Sequence, residues 1–290
     1  DLYLLTVVGN TCMHHLFCGI VPGSLVRVPY TAAVSEPLLL DGAGLDLDMA
    51  PGGRVQMLPV FAGFVGADTN ACLISIDFIH EHKHTLMLDI GTNGELVMGT
   101  HEHAFACSTA AGPALEGAKI EHGMRGADGA IDHASVDGDD IVLHVIGGDK
   151  ALGICGSGIL DIIALLLDTG IVDDGGRLLD PEKLDTSFAK KNAWRYEKSA
   201  QGGHFMLQDG IYLSQKDIRE VQLAKSAIAV GINILCRKLG WKLGDIEQVK
   251  IAGAFGNYMD PKSASRIGLI PHELLERVIP IGNAAGEGAK

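Results

Sequence analysis

Residues 84 to 99 limit the fold more than any other stretch. An apolar run, His84 to Ile90, carries Asp89 near its end; Gly91-Thr92-Asn93-Gly94 follows, and Glu95 to Gly99 returns as a second apolar run. Two short runs joined by small polar residues predict a β-hairpin. An aspartate at the end of a buried strand can hold magnesium through water. The glycines let the turn backbone approach a phosphate closely, and the Thr92 hydroxyl and turn N–H groups can donate to its oxygens. An ordinary hairpin with a satisfied aspartate is the plain alternative.

The rest of the chain alternates strands and helices, which argues for α/β sheets covered by helices. Strands are predicted at Leu2 to Val8, Val55 to Val60, Ile141 to Ile146, Val249 to Ala252 and Val278 to Ile281. Helices are predicted at Thr11 to Ile20, Gly66 to Ile79, Ile159 to Leu167 and residues 261–267, with a short one opening at Gly112 to Gly117. Ser214 reads as the N-cap of a long helix ending near Lys238, with Asp217 in its first turn. Ile218, Val221, Ala224, Ile228, Ile232 and Leu235 fall on one face at offsets of three and four. Residues 21–53 read as irregular, 170–213 as mixed with turns at Gly175-Gly176 and Gly202-Gly203. The run His80 to His84 reads as a solvated loop rather than a metal site, since no partner ligand is evident.

Composition narrows the partners. With 290 residues, 47% hydrophobic, the chain can bury one large core or two moderate ones. A formal net charge of −13 repels nucleic acid and anionic membrane. It does not exclude a phosphate ligand held by backbone N–H groups. The six cysteines form no C-x-x-C pair, so zinc and ferredoxin-type spacings are missing and reduced, cytoplasmic thiols are expected. Asp1 leads straight into a strand, and Gly282 to Lys290 reads as a turn and a helix that stops early, as trimmed termini would give.

Three further segments could carry chemistry. Ile251 to Asn257 is a strand ending in small residues, where a flat ring could lie against the backbone of Gly253, Ala254 and Gly256; a tight strand-to-helix turn is the alternative. Gly153 to Gly158, with Gly156 and Ser157 at a helix start, offers free N–H groups to an anion, or else lets that helix pack closely on a sheet. Cys155 there is a reactive thiol or a small buried residue. Cys107 to Gly117, dense in small and hydroxyl residues, could line a cleft below the phosphates or be a structural loop. The hairpin and the small-residue turn are expected on opposite sides of a cleft.

Taken together these segments resemble the reductive activators of corrinoid proteins. The match is carried by Val8 to His15, Ala62 to Asp68, Asp89 to Glu95, Cys107 to Gly117, Gly153 to Gly158, Gln215 to Lys225, Ala252 to Tyr258 and Gly282 to Ala289. The resemblance implies the actin, acetate and sugar kinase and heat-shock chaperone type of α/β ATPase fold, two lobes around a cleft. Residues 1–85 would be a first-lobe or middle portion and 86–290 the ATPase portion. It implies ATP and Mg2+ as ligands, a corrinoid protein as partner, a homodimer, and a [2Fe-2S] cluster only in an N-terminal ferredoxin-like domain absent from this chain. Asp89 to Glu95 would be the second phosphate loop: Asp89 contacts magnesium–water, Gly91, Thr92, Asn93 and Gly94 meet phosphate, and Gly156 and Ser157 join Gly253, Ala254 and Gly256 as cofactor-binding residues. ATP would drive the uphill reduction of Co(II) corrinoid to Co(I). Competing readings are a small-molecule kinase with Asp68 as base, a nucleotide-independent docking and dimerisation module, and an activator of another metalloenzyme holding a cluster through Cys107 or Cys155.

Overall fold

A computed structural model describes residues 2–148, 150–199, 202–208, 210–253, 256 and 258–290. The N-terminal part builds a three-stranded sheet, β1 (Leu4–Val7), β2 (Leu38–Asp41) and β3 (Arg54–Met57), in the order β1-β3-β2 with β1 parallel to β3. Helix α1 (Thr11–Phe17) follows β1 and is capped by Asn10, whose side chain accepts from the Met13 N–H at 2.9 Å. Helix α2 (Ala67–Ser75) then leads to the second sheet.

That sheet has five strands: β4 (Thr85–Ile90), β5 (Gly94–Gly99), β6 (Ala104–Thr109), β13 (Gln248–Ala252) and β14 (Val278–Gly282), ordered β14-β13-β4-β5-β6. β4, β13 and β14 run parallel, and β5 and β6 complete an antiparallel meander. Alternation along β4 and β5 sorts the two faces. Leu86, Leu88, Ile90, Leu96 and Met98 enter the main core under α5 (Gln215–Leu239). Met87 and Val97 pack on the other face with Cys72 of α2 and Ala284 of α7 (Ala284–Ala289). A Cβ on Gly288 would lie 1.8 Å from the Ala71 carbonyl oxygen, so glycine is what lets α7 press onto α2.

Between β6 and α5 the chain adds β7 (Ala130–Asp137), β8 (Asp140–Val145), β9 (Gly153–Ile154), α3 (Gly156–Asp168), α4 (Ser187–Lys191) and the meander β10 (Tyr196–Ser199), β11 (Gly202–Gln208), β12 (Ile211–Ser214). These share the main core through Ile131, Leu160 and Phe205. Helix α6 (Pro261–Arg266) packs beside α3.

The long helix starts where its capping chemistry requires. The Ser214 hydroxyl accepts from the Asp217 N–H while the Asp217 carboxylate accepts from the Ser214 N–H at 2.9 Å, a complete capping box. All six apolar residues named for its inner face are buried. Three expectations fail. Residues 21–53 contain strand β2, and Cys107 to Thr109 is strand rather than loop. Gly202-Gly203 begins β11, paired with Ser199 and Lys198 of β10, instead of turning; a Cβ on Gly203 would fall 2.5 Å from the Tyr196 ring packed across the strand pair.

Candidate functional site

The carboxyl ends of β4 and β13 meet at Asp89. It pairs in register with Glu95 across the hairpin and with Ala252 on β13, and Glu95 pairs in turn with Ser108. Asp89 lies on the Met87 side of the sheet, so it faces α2, where the Cys72 thiol donates to it at 3.7 Å. Asp68, in the first turn of α2, is the third carboxylate of the group.

Electrostatically the three are strained. Burial pushes the Asp89 carboxyl above its usual range, and the Asp68 charge adds to it. Burial raises Asp68 as well. Glu95 is pushed up to about 7, first by burial and then by the Asp68 and Asp89 charges, even though the Ser108 hydroxyl donates to it at 3.0 Å. No lysine or arginine enters the interactions that set these values. Such a cluster is relieved by a proton or by a cation.

The hairpin tip is open. Thr92 and Asn93 are exposed, and the Gly91 N–H donates to the Asn93 carbonyl at 3.0 Å. The Thr92 hydroxyl donates to Glu116 at 2.9 Å, and the Thr109 hydroxyl donates to the Gly94 carbonyl at 3.1 Å. The Cys107 to Gly117 segment therefore wraps the hairpin. Gly94 is buried, and a Cβ there would come within 2.8 Å of the Thr109 hydroxyl.

Gly253, at φ +91°, donates its N–H to the Gly282 carbonyl at 2.8 Å, and a Cβ there would lie 3.2 Å from Asp89 Oδ1. The glycine turn thus sits beside the hairpin on an adjacent strand of one sheet. This corrects the expectation of opposite sides of a cleft: β13 inserts directly next to β4 after the long excursion through α5. Ala254 lies outside the described residues. Gly256 is buried, and a Cβ there would come 2.6 Å from the Ile251 side chain.

The cleft instead has the N-terminal part as its other wall. A cavity of about 260 Å³ is lined by Asn10, Thr11, Cys12, Leu25 and Phe64, among others, and by Asn93 of the hairpin tip. Within the N-terminal wall, the start of α2 is tied to the segment after β1: the Ala67 N–H donates to the Gly9 carbonyl at 3.0 Å, and a Cβ on Gly66 would lie 2.6 Å from that oxygen. Gly156 and Ser157 are buried at the start of α3, which packs on β7 so tightly that a Cβ on Gly158 would fall 2.1 Å from the Ile131 carbonyl oxygen.

Sequence reasoning placed Asp89 and the turn but gave neither Cys72 nor Glu95 a role, and it named Asp68 only as a kinase base. The available signal for Asp68 was an acidic residue in the first turn of a helix opening after Gly66.

A family model for the RACo middle region matches residues 1–81, and one described as the C-terminal domain of RACo, the ASKHA domain, matches residues 83–290. The corrinoid activation enzyme RamQ of Eubacterium limosum is 40% identical over 100% of this chain and 50% of its own length. The [Co(II) methylated amine-specific corrinoid protein] reductase of Methanosarcina barkeri is 26% identical over 78% of this chain and 42% of its own. A solved reductive activator for corrinoid, iron-sulfur protein superposes with a TM-score of 0.86 at 33% identity, covering 99% of this chain and 46% of that one. The chain spans about half the length of these relatives.

Proposed function

The chain belongs to the RACo family of reductive corrinoid activators and carries its ASKHA-type two-lobed α/β nucleotide-binding fold, and from that premise we propose that it is the ATP-binding portion of an activator returning an inactive Co(II) corrinoid protein to Co(I). The supporting observation is the meeting of Asp89, the open Gly91 to Gly94 turn and Gly253 at the ends of β4 and β13. Open α/β sheets bind ligands at the carboxyl ends of their strands.

In this reading the turn N–H groups and the Thr92 hydroxyl, released from Glu116, donate to phosphate oxygens. Asp89 orients water on a magnesium ion, and Gly253 and its following turn approach the nucleoside. Magnesium, when bound, supplies the positive charge that the Asp68, Asp89 and Glu95 group lacks. No three or more metal-ligating side chains among the described residues are arranged to hold an ion, so magnesium would rely on water and phosphate oxygens as ligands.

Nucleotide would act by favouring one arrangement of the two cleft walls, and the corrinoid partner would prefer that arrangement. The electron would come from a [2Fe-2S] domain outside residues 1–290. For one electron, each tenfold of equilibrium corresponds to about 59 mV, so the switch must supply a large differential affinity. Asp89→Ala in the complete activator is expected to abolish ATP-dependent appearance of Co(I), read by its absorption spectrum, while partner binding without nucleotide persists. Unchanged activation would sink the assignment.

A second reading has one observation in its favour. Asp68, raised by burial and beside Asp89, is placed like a general base for phosphoryl transfer to a small acceptor. Phosphotransfer that disappears in Asp68→Asn would favour it.

A further inference from the structure

Two histidines far from the hairpin in sequence share an unusual arrangement. His133 on β7 and His144 on β8 are directly opposed in antiparallel register, which puts their Cβ atoms about 4.5–5.5 Å apart on one face. Each ring is held from behind by a carboxylate: His133 Nδ1 bonds Asp161 of α3, and His144 Nδ1 bonds Asp132 at 2.5 Å. The register shift between Ile131 and His133 leaves Asp132 as the extra residue of a β-bulge, the device that re-aims a side chain. A proton on Nδ1 leaves the lone pair on Nε2. Among the described residues neither Nε2 has a hydrogen-bond partner, and the side chains are 61% and 68% exposed.

Asp161 supplies an independent sign. Its side chain is only 3% exposed, and its second oxygen is buried without a hydrogen bond of ordinary geometry, the nearby Ser263 hydroxyl being given to Asp260 at 3.1 Å. A surface ion pair needs no such costly backing. A carboxylate fixing the tautomer and direction of a ligating imidazole does, since metal-bound histidines almost always donate their other N–H in this way.

We propose that His133 and His144 form a two-imidazole site for a divalent transition-metal ion, oriented by Asp161 and Asp132. Imidazole suits nickel, zinc or copper rather than magnesium or calcium, so this site is separate from the magnesium of the hairpin. The chain supplies two ligands and water completes the shell. The acidic chain, at −13, favours cation approach.

The test is titration of the complete chain with nickel chloride against a chromophoric chelator. One nickel per chain is expected, weakened at least tenfold by His144→Ala and about 10–100-fold by Asp132→Asn, with unchanged thermal unfolding. Because Asp132 and His144 are away from the core, their variants should fold. The variant His82→Ala/His101→Ala, at another close imidazole pair with ring centroids 4.3 Å apart, should bind nickel as the parent does. Absence of nickel binding, equal affinity in His133→Ala/His144→Ala, or loss confined to His82→Ala/His101→Ala would overturn the proposal.

Discussion

Two glycine-bearing turns of the chain look alike in sequence and differ in space. At the hairpin, Gly91 is half-buried, Thr92 and Asn93 are exposed, and three carboxylates without a counter-cation stand behind them. At the start of α3, Gly156 and Ser157 are buried and Gly158 is pressed onto β7. Glycine leaves the first turn open, as the proposed ligand approach requires, and serves helix-on-sheet packing in the second. Composition cannot separate these uses; surroundings can.

Substitutions can break this contrast. The largest effect is expected at Gly158→Ala, whose new methyl would meet a backbone oxygen 2.1 Å away. A loss of about 2–3 kcal/mol in unfolding free energy by denaturant titration is expected. At Gly91→Ala the nearest atom is the mobile Glu116 carboxylate at 3.3 Å, and stability should change by less than about 0.5 kcal/mol. Equal losses at the two positions would erase the distinction.

Next in size is Asp89→Asn. Removing one charge from the cluster should leave stability equal or higher, while affinity for magnesium–nucleotide drops about 10–100-fold, as when a metal's outer-shell partner is lost. Parallel loss of stability and binding would make Asp89 a structural residue.

A smaller effect concerns pH. Glu95 is pushed up to about 7, whereas unfolded glutamates titrate near about 4.3. The folded state therefore holds the extra proton between roughly pH 4.3 and 7, and stability from this group falls as pH rises through that window. Asp68 and Asp89, also raised, act in the same direction. Comparing unfolding of Glu95→Gln with the parent across the window should show a flatter fall; a steeper one would contradict the assignment.

A small effect is also expected at Ser157→Ala. Its hydroxyl lies 3.3 Å from the Cys155 sulfur, so about 1 kcal/mol of stability is at stake, with nucleotide affinity unchanged. A tenfold loss of affinity there would return the α3 start to the binding site.

Local chemistry was the legible part. The Ser214 N-cap of α5, its buried stripe and the hairpin all follow from neighbours within a few residues. Strands β2, β7 and β10 were illegible because they are short or largely exposed and carry weak alternation. Within the site, Asp89 and the turn were readable as one motif. The approach of Asp68 and Cys72 was not, because it depends on α2 packing over the Met87 face of the sheet. The position of Gly253 beside Asp89 likewise depends on strand order, which 158 residues of intervening chain (between Gly94 and Gly253) conceal.

That packing also joins the two matched regions. Ala67 and Ala71 of α2 pack with Leu58 and Val60 of the N-terminal part, while Cys72 packs with Met87 and Val97. The carboxylate group is thus shared between residues 1–81 and 83–290.

The most direct test is calorimetric titration of this chain with magnesium and a non-hydrolysable ATP analogue, beside Asp89→Asn. The account predicts one site per chain in the parent, with affinity at least about tenfold weaker in the variant. Absence of binding, or binding of equal strength by both proteins, would contradict it.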